Sequence, residues 1–563
     1  MNRTETLTSL KENPQVSVLI VGAGINGIGT FRDLALNGVD VVLVDRGDFC
    51  SGASSASSHM AHGGIRYLEN GEFRLVREAV KERNRMIQNA PHIVKPLPTT
   101  IPMFKYFSGI LNAPLKFMGW LDKPSERGSI IIKLGLMMYD AYTGSQRTVP
   151  RHTFYSRAAS LAKWKKLNPE IVNTAVYYDG LISNPERLAL ELALDAEADN
   201  PNARALNYVS LVSGSGNTVV LRDELTDETI EVQPKLLINA AGPWIDFANH
   251  SLGVTTTYIG GTKGSHLVLD NPELRATIGE NEFFFENKDG RIVLIFPMQD
   301  RVLVGTSDIK IEHPDEARCT DDEINYFLEM TARVFPAIKV TREQIVFAFS
   351  GVRPLANSAA KTTGQYSRDH HIEVLSGEWT NLSFPVYSLV GGKWTSFRAF
   401  SEQVTDKTLE FFGIKRNKGT EDLPIGGGRN YPQTDEDRAK YLTGLAAWTG
   451  LSHERLEELF ERYGTRAETV AEFIKLADDS PLKSLPDYSQ REILFLAQYE
   501  KVRHLDDILL RRTMLGMLGR LTRDAVIEIA EILAEAFGWS LSRKNAEAER
   551  TLRLLADRHR VRL

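Results

Sequence analysis

The sequence predicts an α/β body with two sheet-bearing parts interleaved, followed by an all-α C-terminal part. Three observations carry this. A strand at 16–21 runs into "VGAGING" and a helix at 25–36, then a second buried strand at 39–44, which is a βαβ unit. Six strand-like runs separated by charged turns lie between about 205 and 310. Beyond residue 424 the apolar period becomes helical throughout.

Each element has a local reason. Residues 16–21 are apolar, β-branched and closed by glycine. After an irregular loop at 46–65, "EFRLVREAVKERNRMI" sets Phe73, Val76, Val80 and Ile87 at helical spacing. The runs "NYVSLVS", "TVVLRD", "KLLINAAG", "SHLVL", "RIVLIFPM" and "RVLVGTS" read as a second, sheet-rich subdomain interleaved with the first. "LPIGGGRNYPQTDED" reads as a linker rich in glycine, proline and acids. In "AVIEIAEILAEAFGW", Val526, Ile529, Ala530, Leu533 and Phe537 mark one helix face.

Composition narrows the function classes. The formal net charge is −6, which gives no whole-chain case for nucleic acid, so an anion site must be a local basic cluster. The two cysteines, Cys50 and Cys319, lie far apart without CxxC, which fits a reducing compartment and excludes a dithiol centre. No metal-ligand spacing appears, and His370 and His371 would point apart on a strand. The polar N-terminus lacks the plan of a signal peptide. The best spanning candidate, "SIIIKLGLMMYDAY", is short and interrupted by Lys133, so the protein is expected in the cytosol or on a membrane surface.

Chemistry concentrates in the glycine turns. Gly22, Gly24 and Gly27 form GxGxxG: the first allows the tight turn, the second lets a pyrophosphate approach, and the third packs helix on sheet. Helix-start N–H groups then hold the phosphate, and Asp45 ends the second strand where an acid binds ribose hydroxyls. Arg46 alone is weak evidence for a 2′-phosphate. Far downstream, "KLLINAAGPWID" ends a strand in Ala240, Ala241 and Gly242, small enough to pass a ligand already bound at the first turn. That distant return resembles FAD-binding folds of the glutathione-reductase and amino-acid-oxidase kind. "SLVGGKWTSFR" adds Gly391, Gly392 and the cation Lys393, and "FSGVRPL" holds Arg353 in a stiff turn. With Arg66 and Lys263 these cations suit an anionic substrate, plausibly a phosphate, which guanidinium groups grip bidentately.

"VGAGINGIG", "SSASSHMAHGGIRYLENGEFRLVREA", "NAAGPWID", "KGSHLVL", "VGTSDI", "FSGVRPL", "SRDHHIEV", "LVGGKWTSFR" and "DDILLRRTMLG" together resemble the FAD-dependent, quinone-linked glycerol-3-phosphate dehydrogenases, in order over roughly residues 15 to 520. The resemblance implies an oxidoreductase domain over 1–424, with FAD-binding and substrate-binding subdomains interleaved, and a helical domain over 425–563. It implies oxidation of sn-glycerol 3-phosphate to dihydroxyacetone phosphate, with electrons passing through FAD to a membrane quinone. Carried over by motif, the FAD contacts are Gly22, Gly24, Asn26, Gly27, Asp45, Arg46, Ser54, Ser55, Ser58, His62, Gly63, Gly64, Gly242, Gly391, Gly392 and Thr395. Arg66, Tyr67, Thr306, Arg353 and Lys393 would face the substrate, and His62, His266 and Lys393 are the catalytic candidates.

As the C2 hydroxyl loses its proton, a base of near-neutral pKa is wanted, and His62 is favoured over His266. His59 stands where relatives often carry lysine, and its role is open. The rival readings are a relative acting on another polyol phosphate such as erythritol phosphate, an oxygen-using glycerophosphate oxidase, a flavin amine or amino-acid oxidase, and a non-catalytic FAD-binding redox sensor. Phe104, Tyr106, Phe107, Leu111, Phe117, Met118 and Trp120 beside Lys105 and Lys116 suit a lipid headgroup interface. The equal alternative is a loop packed on the protein's own core or on a second subunit. The expected location is the inner face of the cytoplasmic membrane, as a peripheral protein and a candidate homodimer.

Overall fold

The computed structural model describes residues 2–64, 72–106, 128–143, 148–287, 292–357, 369–377 and 380–563. Among these residues the chain builds two sheets. The first runs His371–Leu375, Val386–Val390, Thr229–Asn239, Gln15–Val21, Val41–Val44, Ala203–Leu206. All neighbours on this path are parallel except the antiparallel edge strand His371–Leu375. The central strands are apolar without interruption because both faces are covered. Val18 and Ile20 point into one core with Ile28, Phe31 and Leu188 of the helices Ile25–Leu36 and Pro185–Asp199. Leu19 and Val21 point the other way, onto Leu10 and Val219.

Several elements differ from the sequence expectation. The polar start forms a helix, Arg3–Glu12, because Asn2 and Glu5 close a capping box and Leu10 is buried. The strands Val209–Ser215, Thr218–Asp223 and Thr229–Asn239 belong to the first sheet, not to the second unit. Their alternation resembles that of the following strands, and only the parallel register Val21↔Asn239 assigns them. The second strand begins at Val41, two residues later than expected.

The second sheet has ten strands among the described residues, and the chain enters it repeatedly between visits to the first. Val94–Met103 pairs antiparallel with Asn173–Ile182 along its whole length, and Thr262–Leu269 pairs with Ile345–Arg353. One face packs Leu267, Phe283 and Ile295 against Phe327 of the helix Asp321–Val334. The other packs Val268, Phe296 and Phe347 under the C-terminal helices, including Val526, Ile529, Ala530 and Leu533. Phe537 packs only partly, at the end of the predicted stripe. Ser or Thr caps start five of these helices, through Thr434, Ser452, Ser489, Thr522 and Ser540. Each such cap contributes about 1 kcal/mol.

The stretch expected as a linker is not a loose spacer at its start. Gly426, Gly427 and Gly428 are buried, and their added side chains would collide with Glu191, Tyr463 and Asn89. The glycines were a turn signal in the sequence; here they permit backbone to lie against backbone.

Candidate active site

The site is built at the carboxyl ends of three adjacent parallel strands, where a doubly wound sheet leaves a crevice. Gly22 follows the strand Gln15–Val21 at φ +108°, and a Cβ there would lie 2.6 Å from the Ala240 carbonyl oxygen. The Ala240 N–H donates to Val21 O at 2.8 Å, so the distant "NAAG" segment does return to the first turn. Gly391 and Gly392 follow the next strand at φ +81° and +99°, and Gly392 touches Asn26 of the first helix. The Asn26 amide donates to Gly391 O. Gly27 presses its Cα face on Gly22 O. Gly24 and Gly242 differ: a Cβ on Gly24 meets only Ser54 Oγ, at 3.2 Å, and one on Gly242 enters open space. Side chains at these two positions would fill a cradle that the protein itself leaves open, which is the shape an elongated dinucleotide needs.

Asp45 lies at the end of the second strand. Its carboxylate accepts from Ala23 N–H at 2.6 Å and Gly47 N–H at 2.8 Å. Burial still raises its pKa to about 6, because these backbone donors and Arg46 offset the desolvation only in part. Arg46 turns outward to Asp315, 2.5 Å away, and over the Trp244 ring. Ser54 Oγ accepts from Ile25 N–H at the helix start, whereas the Ser55 hydroxyl donates within its own loop to Gly52 O.

The loop at 56–64 connects this cradle to the second sheet. Ala56 packs against Gly351, and Ser58 Oγ lies 2.8 Å from His266 Nε2. His266 is buried, stacks on Phe349 at 4.8 Å, and sits tight against Gly305. Burial, with the Arg353 charge, pushes its pKa well below the ordinary histidine value. His59 is also buried and bonds Ile182 O through Nδ1, and burial pushes its pKa down to about 4. Its open role is therefore that of a neutral histidine held in the second sheet. His62 is half-buried, and its N–H donates to Thr395 Oγ1 at 3.0 Å.

Gly63 was a candidate FAD contact, but the network around it was not foreseen. Its N–H donates to Asp179 Oδ1 at 2.9 Å, and the Tyr139 hydroxyl donates to the same oxygen at 2.6 Å. Arg83, wholly buried, donates to Tyr139 Oη and Tyr178 O. Tyr139 leaves no room for a side chain on Gly63. A carboxylate accepting such bonds is worth about 1.5–3 kcal/mol per bond, enough to fix the backbone beside His62. The signal in sequence is faint: an isolated Asp in "VYYDGLI" at the second strand of a pair.

Arg353 ends the strand Ile345–Arg353. It donates to Thr306 Oγ1 at 2.8 Å and Ser307 O at 3.0 Å, and pairs with Asp308 at 3.3 Å. Its guanidinium lies against Gly264, where no side chain fits. Lys263 stands apart: Nζ binds Glu323 at 2.8 Å and Arg318 O, so its charge is already matched. Lys393 is half-buried after the Gly392 turn, within electrostatic reach of Glu78 and His370. His370 is buried and His371 exposed, so the pair does point apart. Arg66 and Tyr67 lie outside the described residues, as do Phe107, Leu111, Lys116, Phe117, Met118 and Trp120.

Residues 17–379 match the family model described as FAD dependent oxidoreductase. Residues 418–544 match the model of the C-terminal domain of alpha-glycerophosphate oxidase. The chain is 33% identical over 560 residues to a glycerol-3-phosphate dehydrogenase of Synechocystis, covering 94% of each chain. It is 28% identical over 512 residues to a D-erythritol 1-phosphate dehydrogenase of Brucella abortus, covering 90% of this chain and 95% of that one. In fold it is similar to a glycerol-3-phosphate dehydrogenase of Bacillus halodurans complexed with FAD, with TM-score 0.75, 22% identity, and coverage of 98% and 97%.

Proposed function

Because this chain belongs to the FAD-dependent glycerol-3-phosphate dehydrogenase family, we propose that it oxidises sn-glycerol 3-phosphate at C2, giving dihydroxyacetone phosphate. The observation that carries the reading is the junction at residues 56–64: one loop joins the strand-end cradle to the strand that ends in Arg353. FAD bound there would supply the hydride acceptor for C2. Gly22, Gly24, Asn26, Gly27, Asp45, Ser54, Gly242, Gly391 and Gly392 would hold it.

Arg353 binds the phosphate and shares it with Thr306. Its guanidinium is oriented before substrate arrives, since Thr306, Ser307 and Asp308 already fix its plane. Lys393 adds a second cation, and these charges also favour the alkoxide that develops at C2. His62 takes the hydroxyl proton. His266 is the weaker base, because burial keeps it neutral and poorly basic; it anchors Ser58 instead. His62→Ala should lower turnover by about 10²–10⁴-fold and flatten the pH profile below neutrality. Normal turnover with an unchanged profile would remove His62 from this role.

The electron acceptor on this reading is a quinone met at a lipid surface. Ile130, Leu134 and Met137 support it: they are 50%, 61% and 54% exposed along one face of the helix Ser129–Thr143, beside Tyr106. Among the described residues no helix is long and apolar enough to cross a membrane. Leu134→Glu with Met137→Glu should abolish cosedimentation with anionic vesicles while leaving turnover with a soluble dye intact. Retained cosedimentation overturns the surface.

The decisive experiment is anaerobic reduction of the purified flavoprotein. Glycerol 3-phosphate should bleach the flavin band faster than erythritol phosphate or an amino acid, and a quinone analogue should restore it faster than oxygen. Faster bleaching by erythritol phosphate would reassign the substrate, and fast reoxidation with peroxide release would reassign the acceptor.

A further inference from the structure

Asp48 follows Asp45 by three positions and has no exposed side-chain surface. Its carboxylate accepts four hydrogen bonds. Arg512 donates to both oxygens, at 2.5 and 2.9 Å, Arg511 Nε donates at 2.6 Å, and the Asn207 amide donates at 2.8 Å. Both arginines come from the C-terminal helical part. Arg511 is held in turn by Asp506 and Asp507, and Asp507 accepts from the Tyr208 hydroxyl. Burial would raise the Asp48 pKa, but Arg512 and Arg511 outweigh it and hold the group below the ordinary carboxylate range.

The same short segment is tied on its other side to the nucleotide turn. Asp45 accepts from Ala23 N–H and from Gly47 N–H, and Cys50 N–H donates to Ala23 O. Tyr208 N–H donates to Gly47 O, and Val209 N–H donates to Asp45 O. Residues 45–50 are thus a bridge with the candidate ribose acid at one end and the C-terminal arginines at the other.

We infer that the C-terminal helical part is a retention device for the adenosine half of FAD: Arg511 and Arg512, through Asp48, position the Asp45 carboxylate. These are positioning residues, since they touch the loop rather than the cofactor. A buried ion pair need not add net stability, so the role inferred for this one is to hold residues 45–50 in a single geometry. Coupling is reciprocal, so FAD must also tighten the docking of residues 500–512. A built-in control exists. Arg187 and Glu500 form an equally buried pair, at 2.5 and 2.8 Å, between the helix Pro185–Asp199 and the C-terminal part. Arg187 also donates to Arg512 O and Arg512 Nε donates to Glu500 O, so the pair meets Arg512 through backbone oxygens that Glu500→Gln retains and does not touch residues 45–50.

The inference rests on Asp45 and the glycine turn holding FAD, and the test separates the two. Full-length apo-protein is titrated with FAD by flavin fluorescence. Arg512→Lys and Asp48→Asn should each weaken FAD by about tenfold or more, with substrate KM at saturating FAD unchanged within about twofold. Glu500→Gln should leave FAD affinity close to that of the parent. Equal losses in Glu500→Gln and Arg512→Lys would mean general docking and overturn the inference, as would unchanged affinity in Arg512→Lys. Asp45→Ala with undiminished affinity would instead sink the placement of FAD itself. Should those variants not fold, hydrogen exchange on the unaltered protein decides: FAD should slow exchange over 500–512, and no change overturns the coupling.

Discussion

The glycines at 22–27 and those at 426–428 both let backbone lie against backbone, yet what stands opposite them differs. At 426–428 the approach is closed. Gly426 N–H donates to Asp195 and Gly427 N–H to Glu191, both carboxylates buried, while Tyr463 and Asn89 fill the remaining space. At 22–27 the approach is closed only on the protein side, by Ala240 and Ala241, and is open beyond Gly24. The carboxylates make the same point. Burial would raise the Glu191 pKa, but His92, 2.8 Å away, outweighs it and lowers it. Among the described residues the backbone donors of Gly47 and Ala23 and the Arg46 charge do not outweigh burial at Asp45, which takes it up to about 6. One glycine segment is finished by the chain; the other is left for the phosphate oxygens, and its neighbour Asp45 for the hydroxyls, that a dinucleotide would supply.

The largest expected difference comes from a matched pair of substitutions. Gly24→Ala should leave apo-protein melting within about 2 °C, since its methyl meets only a rotatable hydroxyl, yet strip the purified protein of its yellow colour. Gly427→Ala should do the reverse, costing about 1–3 kcal/mol of stability through overpacking while FAD content per folded molecule holds. If both variants lose colour and stability together, the contrast between an open and a closed glycine turn is broken.

A smaller effect sharpens the electrostatic half of the comparison. The folded Asp45 pKa of about 6 lies above its ordinary value of 3.8, so its contribution to apo-protein stability is present below about pH 4 and lost as pH rises through 6. On the proposed placement ribose hydroxyls would donate to the ionised form, so FAD affinity should move the other way, weakening as pH falls from 7 to 5 by up to about tenfold per unit. Titrations of the parent and of Asp45→Asn would show it. A slope that persists in Asp45→Asn assigns the pH dependence to another group.

Much of the site was legible because its chemistry is local. GxGxxG between strand and helix, an acid at the second strand's end, and small residues closing a later strand are each set by neighbours in sequence. The histidines show where legibility ends. His59 and His62 sat in one irregular polar loop and His266 in the strand run "SHLVL", but only the pairing of Met60–Ala61 with Leu181 and Gly180 buries His59 and leaves His62 half-buried. The strands at 209–239 were assigned to the wrong sheet for a like reason, since alternation fixes a strand's faces and not its partner.

The sequence by itself determined the α/β class, the nucleotide turn, the helical C-terminal part and the family. These follow from periodicity, turn chemistry and motif order along the chain. Only the tertiary structure decided which charges are matched. Lys263 to Glu323, Arg83 and Tyr139 to Asp179, and Arg511 and Arg512 to Asp48 join residues distant along the chain. A buried charge must find its partner wherever packing brings one, because desolvation costs several kcal/mol per ion whatever the separation in sequence.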